Sequence, residues 1–244
     1  MARLQRPRLV SAFALIVGCA MVAAFGIGQL ATDSSKPSSK GDALKQFRKA
    51  VPHPVGYEGV YIYSTTGQES VSALGGSTHP YAPTTPITIV RTGCGLRVEW
   101  EPLDGRSTTW TLCTVKGNIE LRGVAETHTF FKKTDHTNYK CTQLALKFTC
   151  TAGSGGESGD ATPLGEALVS VNGEVNAGII VRMTATVTGS SHGTETTEFY
   201  LAPRTLLPLR ISITNRTSRH EPLVGNVHYK EDATLVLVSR TPSR

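Results

Sequence analysis

The residues best placed to do chemistry are four cysteines, Cys94, Cys113, Cys141 and Cys150, and the chemistry they suggest is oxidative cross-linking. An even number of cysteines behind an export segment reads as two disulfides, with three connectivities open. No Cys-x-x-Cys occurs, which disfavours both structural zinc and thioredoxin-type exchange. Sequence neighbours give Cys94–Cys113 and Cys141–Cys150. If the Asp104-Gly105 turn sets Trp100 opposite Trp110, the first pair falls on opposite faces of the hairpin. A one-residue shift brings the two cysteines to one face but sets Trp110 against Glu99. Cys141 and Cys150 enclose a run without a good turn residue. As one straight strand it would hold the sulfurs roughly 30 Å apart.

Other chemistry is weakly supported. Seven histidines are scattered, and none forms a His-Glu-x-x-His spacing. His128 and His136 with Asp135 are the best metal candidates, and surface histidines explain them more simply. Glu58, Glu69, Glu99, Glu101 and Glu120 offer carboxylates for glycoside chemistry, but they alternate with apolar positions and read as solvent-facing strand residues. There is no nucleophile elbow, dinucleotide fingerprint or phosphate-binding Gly-Lys-Ser/Thr. Phe130-Phe131-Lys132-Lys133 is an aromatic–basic cluster, read as a strand end. Asn215-Arg216-Thr217 is a glycosylation acceptor triplet in a suitable cell. No catalytic, cofactor or metal residue is therefore assigned, and the expectation is a protein that is not an enzyme.

The net charge of +6 belongs to the first part of the chain. Up to Gly56 there are 8 basic and 2 acidic residues; from Tyr57 onward there are 17 of each. A neutral globular part does not ask for nucleic acid. Arg3, Arg6 and Arg8 precede Leu9–Leu30, a charge-free apolar run of 22 residues that can span a bilayer as a helix. The arginines place its leading end in the cytoplasm and everything after it outside. The run reads as a retained anchor over residues 1–31. A cleaved signal and a lipoprotein signal at Cys19 remain alternatives.

Residues 32–56 read as linker and stalk. They start with Ser/Lys/Pro-rich TDSSKPSSKG and allow a short helix over Asp42–Val51. From residue 57 to 244 the texture is β: short alternating runs separated by turn signals. Candidate strands are Tyr57–Tyr63, Gln68–Leu74, Ile87–Arg91, Leu96–Glu101, Thr108–Thr114, Ile119–Val124, Leu144–Thr149, Ile179–Thr188, Thr194–Leu201, Leu209–Thr214 and Val227–Val238. Turns are expected at Thr66-Gly67, Gly75-Gly76, Asp104-Gly105, Lys116-Gly117 and Ser191-His192-Gly193. Low-complexity GSGGESGDAT reads as a mobile loop near 152–163. Short links favour an all-β antiparallel meander, forming a half-barrel or sandwich. Trp100, Trp110, Phe148, Phe199 and Tyr200 are expected in its core.

Glu198-Phe199-Tyr200-Leu201-Ala202-Pro203, followed by Leu207-Pro208-Leu209-Arg210, resembles the strand–turn–strand of LolA/LppX-type lipoprotein and lipid carriers. That resemblance implies a curved antiparallel half-barrel whose concave face holds acyl chains. The stretch from Tyr57 to Cys113 resembles membrane-anchored exported proteins of actinobacterial type, for which no activity follows. Together these readings predict a cell-membrane, single-pass protein with an extracytoplasmic domain. Its expected function is to bind or carry an apolar or cell-envelope ligand; the alternative is a structural or protein-interaction module. The partners expected are the membrane, through the N-terminal helix, and a lipid or other envelope component.

Overall fold

Inward apolar positions alternating with outward polar ones run through most of the thirteen strands. On one of them Ile179, Val181, Met183, Ala185 and Val187 are buried, while Arg182, Thr184, Thr186 and Thr188 are exposed. The computed structural model describes residues 58–243, apart from 73–74, 116–117, 131–132, 145–146, 154, 203–206 and 222–223. The expected anchor and the expected helix over Asp42–Val51 lie outside the described residues.

The first strands in chain order are β1 (Gly59–Val71), β2 (Ser77–Pro80), β3 (Thr84–Arg91), β4 (Gly95–Leu103), β5 (Arg106–Val115) and β6 (Asn118–Phe130). They are followed by β7 (Lys133–Leu144), β8 (Lys147–Ala152), β9 (Gly155–Val171) and β10 (Glu174–Thr188). The last are β11 (Ser191–Leu201), β12 (Pro208–Glu221) and β13 (Gly225–Leu237). From β3 to β13 each strand pairs antiparallel with the next in the chain, β2 pairs only with β1, and no helix occurs among the described residues.

The all-β antiparallel expectation holds, but the half-barrel or sandwich is replaced by a closed barrel. β13 pairs with β1 from Tyr63↔Leu237 to Val71↔Tyr229, so neither end of the meander is left as an edge. The barrel has twelve strands, β1 and β3–β13. The lower half of β1 pairs with β3, and its upper half pairs with β2. The polar outward face is the reverse of the apolar band on a lipid-embedded barrel.

Two expected turns are bends inside strands. Gly67 (φ 128°) lies within β1 and Gly193 (φ 153°) within β11. At each, a Cβ would run into the backbone of the neighbouring strand. These are barrel corners that only glycine allows, and they let one strand curve where two short ones were expected. The loop expected near 152–163 is also strand. Its glycines and serines hide an intact alternation in β9, with Glu157 and Ala161 inward and Ser158, Asp160 and Thr162 outward. The Asn172-Gly173 turn between β9 and β10 (φ 51° and 80°) is a strong hairpin signal that the sequence reading passed over.

At the Asp104-Gly105 turn, a bulge sets Glu101 and Pro102 against Ser107, so neither expected register applies. Beyond the bulge Val98 faces Trp110, and the Trp100 and Trp110 rings stack with centroids 6.1 Å apart. Both neighbour disulfides form. Cys94 sits in the β3–β4 turn, free of strand alternation, with its Cα 4.7 Å from that of Cys113. Cys141 and Cys150 are direct partners across the β7–β8 hairpin, with Cα atoms 4.1 Å apart. The straight strand expected over Leu144–Thr149 is thus the hairpin end, with the chain reversing between Leu144 and Lys147.

Candidate functional site

Strand direction divides the interior into two layers. At the end where β1 begins, and where β9 joins β10, the inward residues are apolar: Ile89, Leu96, Phe199, Leu201, Leu209 and Leu237 are all buried. At the other end, where β5 begins and β9 and β11 start, the buried inward residues include Glu69, Arg106, Glu126, Glu157, Glu195 and Glu231. Cross-strand register aligns four of the polar groups in one row: Glu195 faces Asn215, Asn215 faces Glu231, and Glu231 faces Glu69.

Part of this layer is internally satisfied. Arg106 Nη1 donates to Glu69 Oε2 at 2.8 Å, and Nη2 donates to Glu231 Oε2 at 3.4 Å. The Tyr229 hydroxyl lies 2.9 Å from Glu69 Oε2 and 3.0 Å from Glu231 Oε2, and the Tyr81 hydroxyl donates to Glu231 Oε1. The guanidinium also lies 5.7 Å from the Trp100 ring centroid. Burial alone would lower the Arg106 pKa, but Glu231, Tyr229, Tyr81 and Glu69 outweigh it and raise it. Burial, reinforced by Glu231, pushes both tyrosines up. This is a buried ion-pair network in which both Nη atoms of Arg106 are engaged while its Nε has no partner.

The rest is not satisfied among the described residues. Glu126 is 3% exposed and Glu157 2%, and no oxygen of either carboxyl has a hydrogen-bond partner. Glu195 Oε1 accepts from Thr197 at 3.3 Å, while Oε2 has no partner. Both amide atoms of fully buried Asn215 and the hydroxyls of Thr108, Ser191 and Thr217 are also unpartnered. Thr108 is the register partner of Glu126 across β5–β6, and Thr217 that of Gly193 across β11–β12. Burial raises all three carboxyls, with Glu157 reaching about 8. Glu157 raises Glu126 and Glu195 further, Glu231 also raises Glu195, and Arg106 opposes the shift in both. Glu126 and Glu195 therefore both sense Glu157 and the Arg106 guanidinium.

The sequence candidates fall elsewhere. Glu58, Glu99, Glu101 and Glu120 are on the outer face or partly exposed, and three of them pair with Arg91, Arg97 and Arg122. Glu69, expected beside them in solvent, is instead inside the barrel. His136 is exposed and lies 3.0 Å from the Thr127 hydroxyl; His128 pairs with Asp135 through the backbone. Among the described residues no group of His, Cys, Asp and Glu is placed to hold a metal ion. Phe130 and Lys133 pair as the last residues of the β6–β7 ladder. Asn215 points inward, so the glycosylation triplet is closed to modification in the folded barrel. Trp100, Trp110, Phe148 and Phe199 are core, whereas Tyr200 is only half-buried and stacks under Arg210, 5.3 Å from its ring centroid. That cation–π pair across β11–β12 accounts physically for the aromatic…Arg pattern of the carrier-like hairpin. Glu126, Glu157, Glu195 and Arg106 were missed, although each is a charge in the buried phase of an alternating strand.

The fold defines the class, a closed antiparallel β-barrel with an acidic interior layer at one end. No protein-family description, curated protein or solved structure matches the chain.

Proposed function

We propose that this protein is a non-enzymatic binding barrel, held outside a membrane by Leu9–Leu30, whose ligand sits in the polar interior layer. The observation that carries the reading is the set of buried carboxyls and the Asn215 amide without partners. Leaving such groups unsatisfied costs on the order of 1–3 kcal/mol each, and a ligand with matching polar atoms removes that cost. An acyl chain, which the resemblance to lipid carriers implies, would have to displace the packed apolar layer around Phe199, Leu201 and Leu209. The polar layer is therefore the better place for a guest. The two disulfides fit an oxidising compartment. Because β1 starts at the apolar end, the chain enters the barrel on the side opposite the acidic layer.

A second reading, the interaction module, is favoured by one feature. The outer face of the β9–β10 hairpin carries Leu168 (75% exposed), Val175 (68%) and exposed Ala177.

The test is native mass spectrometry and solvent extraction of the full chain, purified in mild detergent from its own membrane. A stoichiometric small molecule supports the binding barrel. A co-purifying protein lost on Leu168→Ser/Val175→Ser, with no small molecule, supports the module instead. An enzyme-reporter fusion after Arg244 should be active only on the extracytoplasmic side; cytoplasmic activity refutes the tether.

A further inference from the structure

Resting on the binding reading, we infer that the ligand of the acidic layer is an organic cation carrying more than one ammonium group, held by Glu126, Glu157 and Glu195. Charge counting comes first. Arg106 is the cation that faces the layer from β5, and Glu69 and Glu231 already share it. Glu126 from β6, Glu157 from β9 and Glu195 from β11 are left with no counter-charge within hydrogen-bonding reach among the described residues. A buried carboxyl without a partner stays protonated, and a cation brought beside it returns it to the charged form.

Geometry then selects the kind of cation. The three carboxyls come from strands spread around the barrel, and no group of acidic side chains is gathered closely enough for a single metal ion. A compact ion would satisfy one of them and leave the others as they are. Two ammonium groups joined by one chain can answer two carboxyls that a compact ion cannot, and each brings three N–H donors. Asn215 Oδ1 and the Thr108, Ser191 and Thr217 hydroxyls, all unpartnered, are acceptors for the donors that the carboxylates leave over.

Binding exchanges protons for the ligand. Each carboxyl that ionises against an ammonium releases one proton, so affinity rises with pH up to the region where Glu157 ionises unaided. The groups facing the three acids are Arg106, Glu69 and Glu231, with Tyr81 and Tyr229 neutral throughout this range.

The probe is 1,4-diaminobutane, titrated calorimetrically into the full chain in detergent at pH 6, 7 and 8, in two buffers of different ionisation enthalpy. The expected result is binding that tightens about tenfold per pH unit for each proton displaced, with buffer-dependent heats that report proton release. Glu157→Gln and Glu195→Gln keep side-chain size and remove the charge, and each should weaken binding at least tenfold while near-UV circular dichroism is unchanged. Absence of binding, binding by either variant as tight as that of the unsubstituted protein, or calcium binding in place of the diamine overturns the inference. A neutral or anionic molecule found in the native mass spectrum overturns it as well, while leaving the binding barrel standing.

Discussion

Cys150 faces Glu157 across the β8–β9 ladder, so a disulfide half-cystine and a carboxyl without a partner are nearest neighbours on the inner wall. The bridge to Cys141 holds a hairpin that lacks turn residues, and the hairpin in turn fixes the strand that carries the acid. Replacing both cysteines (Cys141→Ser/Cys150→Ser) should lower stability by about 2–3 kcal/mol, or about 5–10 °C in Tm. Thermal unfolding followed by circular dichroism checks this. An unchanged Tm would mean that the ladder alone holds the hairpin.

The buried acids make the barrel more stable in mild acid. Glu157 stays protonated in the folded state up to about pH 8, whereas in the unfolded chain it ionises near 4.5. Between those values the folded state holds the extra proton. The stability it contributes is therefore full below pH 4.5, declines to about pH 8 and is flat beyond. Glu126 and Glu195 act in the same direction. Without added cation, the urea midpoint should fall from pH 5 to pH 8.5, and Glu157→Gln should flatten the fall. A midpoint that rises over this range contradicts the assignment.

Arg106 has the opposite role, since it neutralises charge that is already buried. Arg106→Met leaves Glu69 and Glu231 facing each other without a cation, which should cost about 3–5 kcal/mol. Tyr229→Phe removes one hydroxyl from the same pair and should cost only about 1 kcal/mol. Chemical denaturation of both variants gives the ratio; similar losses would mean that the guanidinium is not the keystone.

Closure depends on the corner glycines. Gly67→Val combines a φ of 128° with a clash into the β13 backbone and should destabilise by more than about 2 kcal/mol. Gly93→Ala meets nothing within 4 Å and should be neutral. Hydrogen exchange on β1 and β13 separates a lost seam from general destabilisation.

The sequence made strand identity legible wherever apolar and polar residues alternate plainly, as in β10 and β13. It also supplied the neighbour disulfides. Closure was not legible, because pairing of Tyr63 with Leu237 depends on residues far apart in the chain. Gly67 and Gly193 misled because a glycine that ends a strand and one that bends it have the same local neighbours. In β9 the small residues of GSGGESGDAT masked the period of two. The acidic layer left a faint trace, charged residues in phase with apolar ones, such as Glu195 two and four positions before Thr197 and Phe199. Reading that trace requires knowing which face of each strand is closed off, and only the complete ring decides it.

The seam between β1 and β13 has a consequence for biogenesis. The first strand of the domain finds its second neighbour only after residues 225–237 exist. Until then the chain is an open sheet with two unpaired borders, exposed to mispairing with other extended chains. Closure of the ring is therefore a late step of folding, since it joins strands far apart in the chain. The same arrangement brings the two ends of the domain together at Val60 and Ser243. A circularly permuted chain, joined there and opened at Asn172-Gly173, should close the same ring in a different order of synthesis.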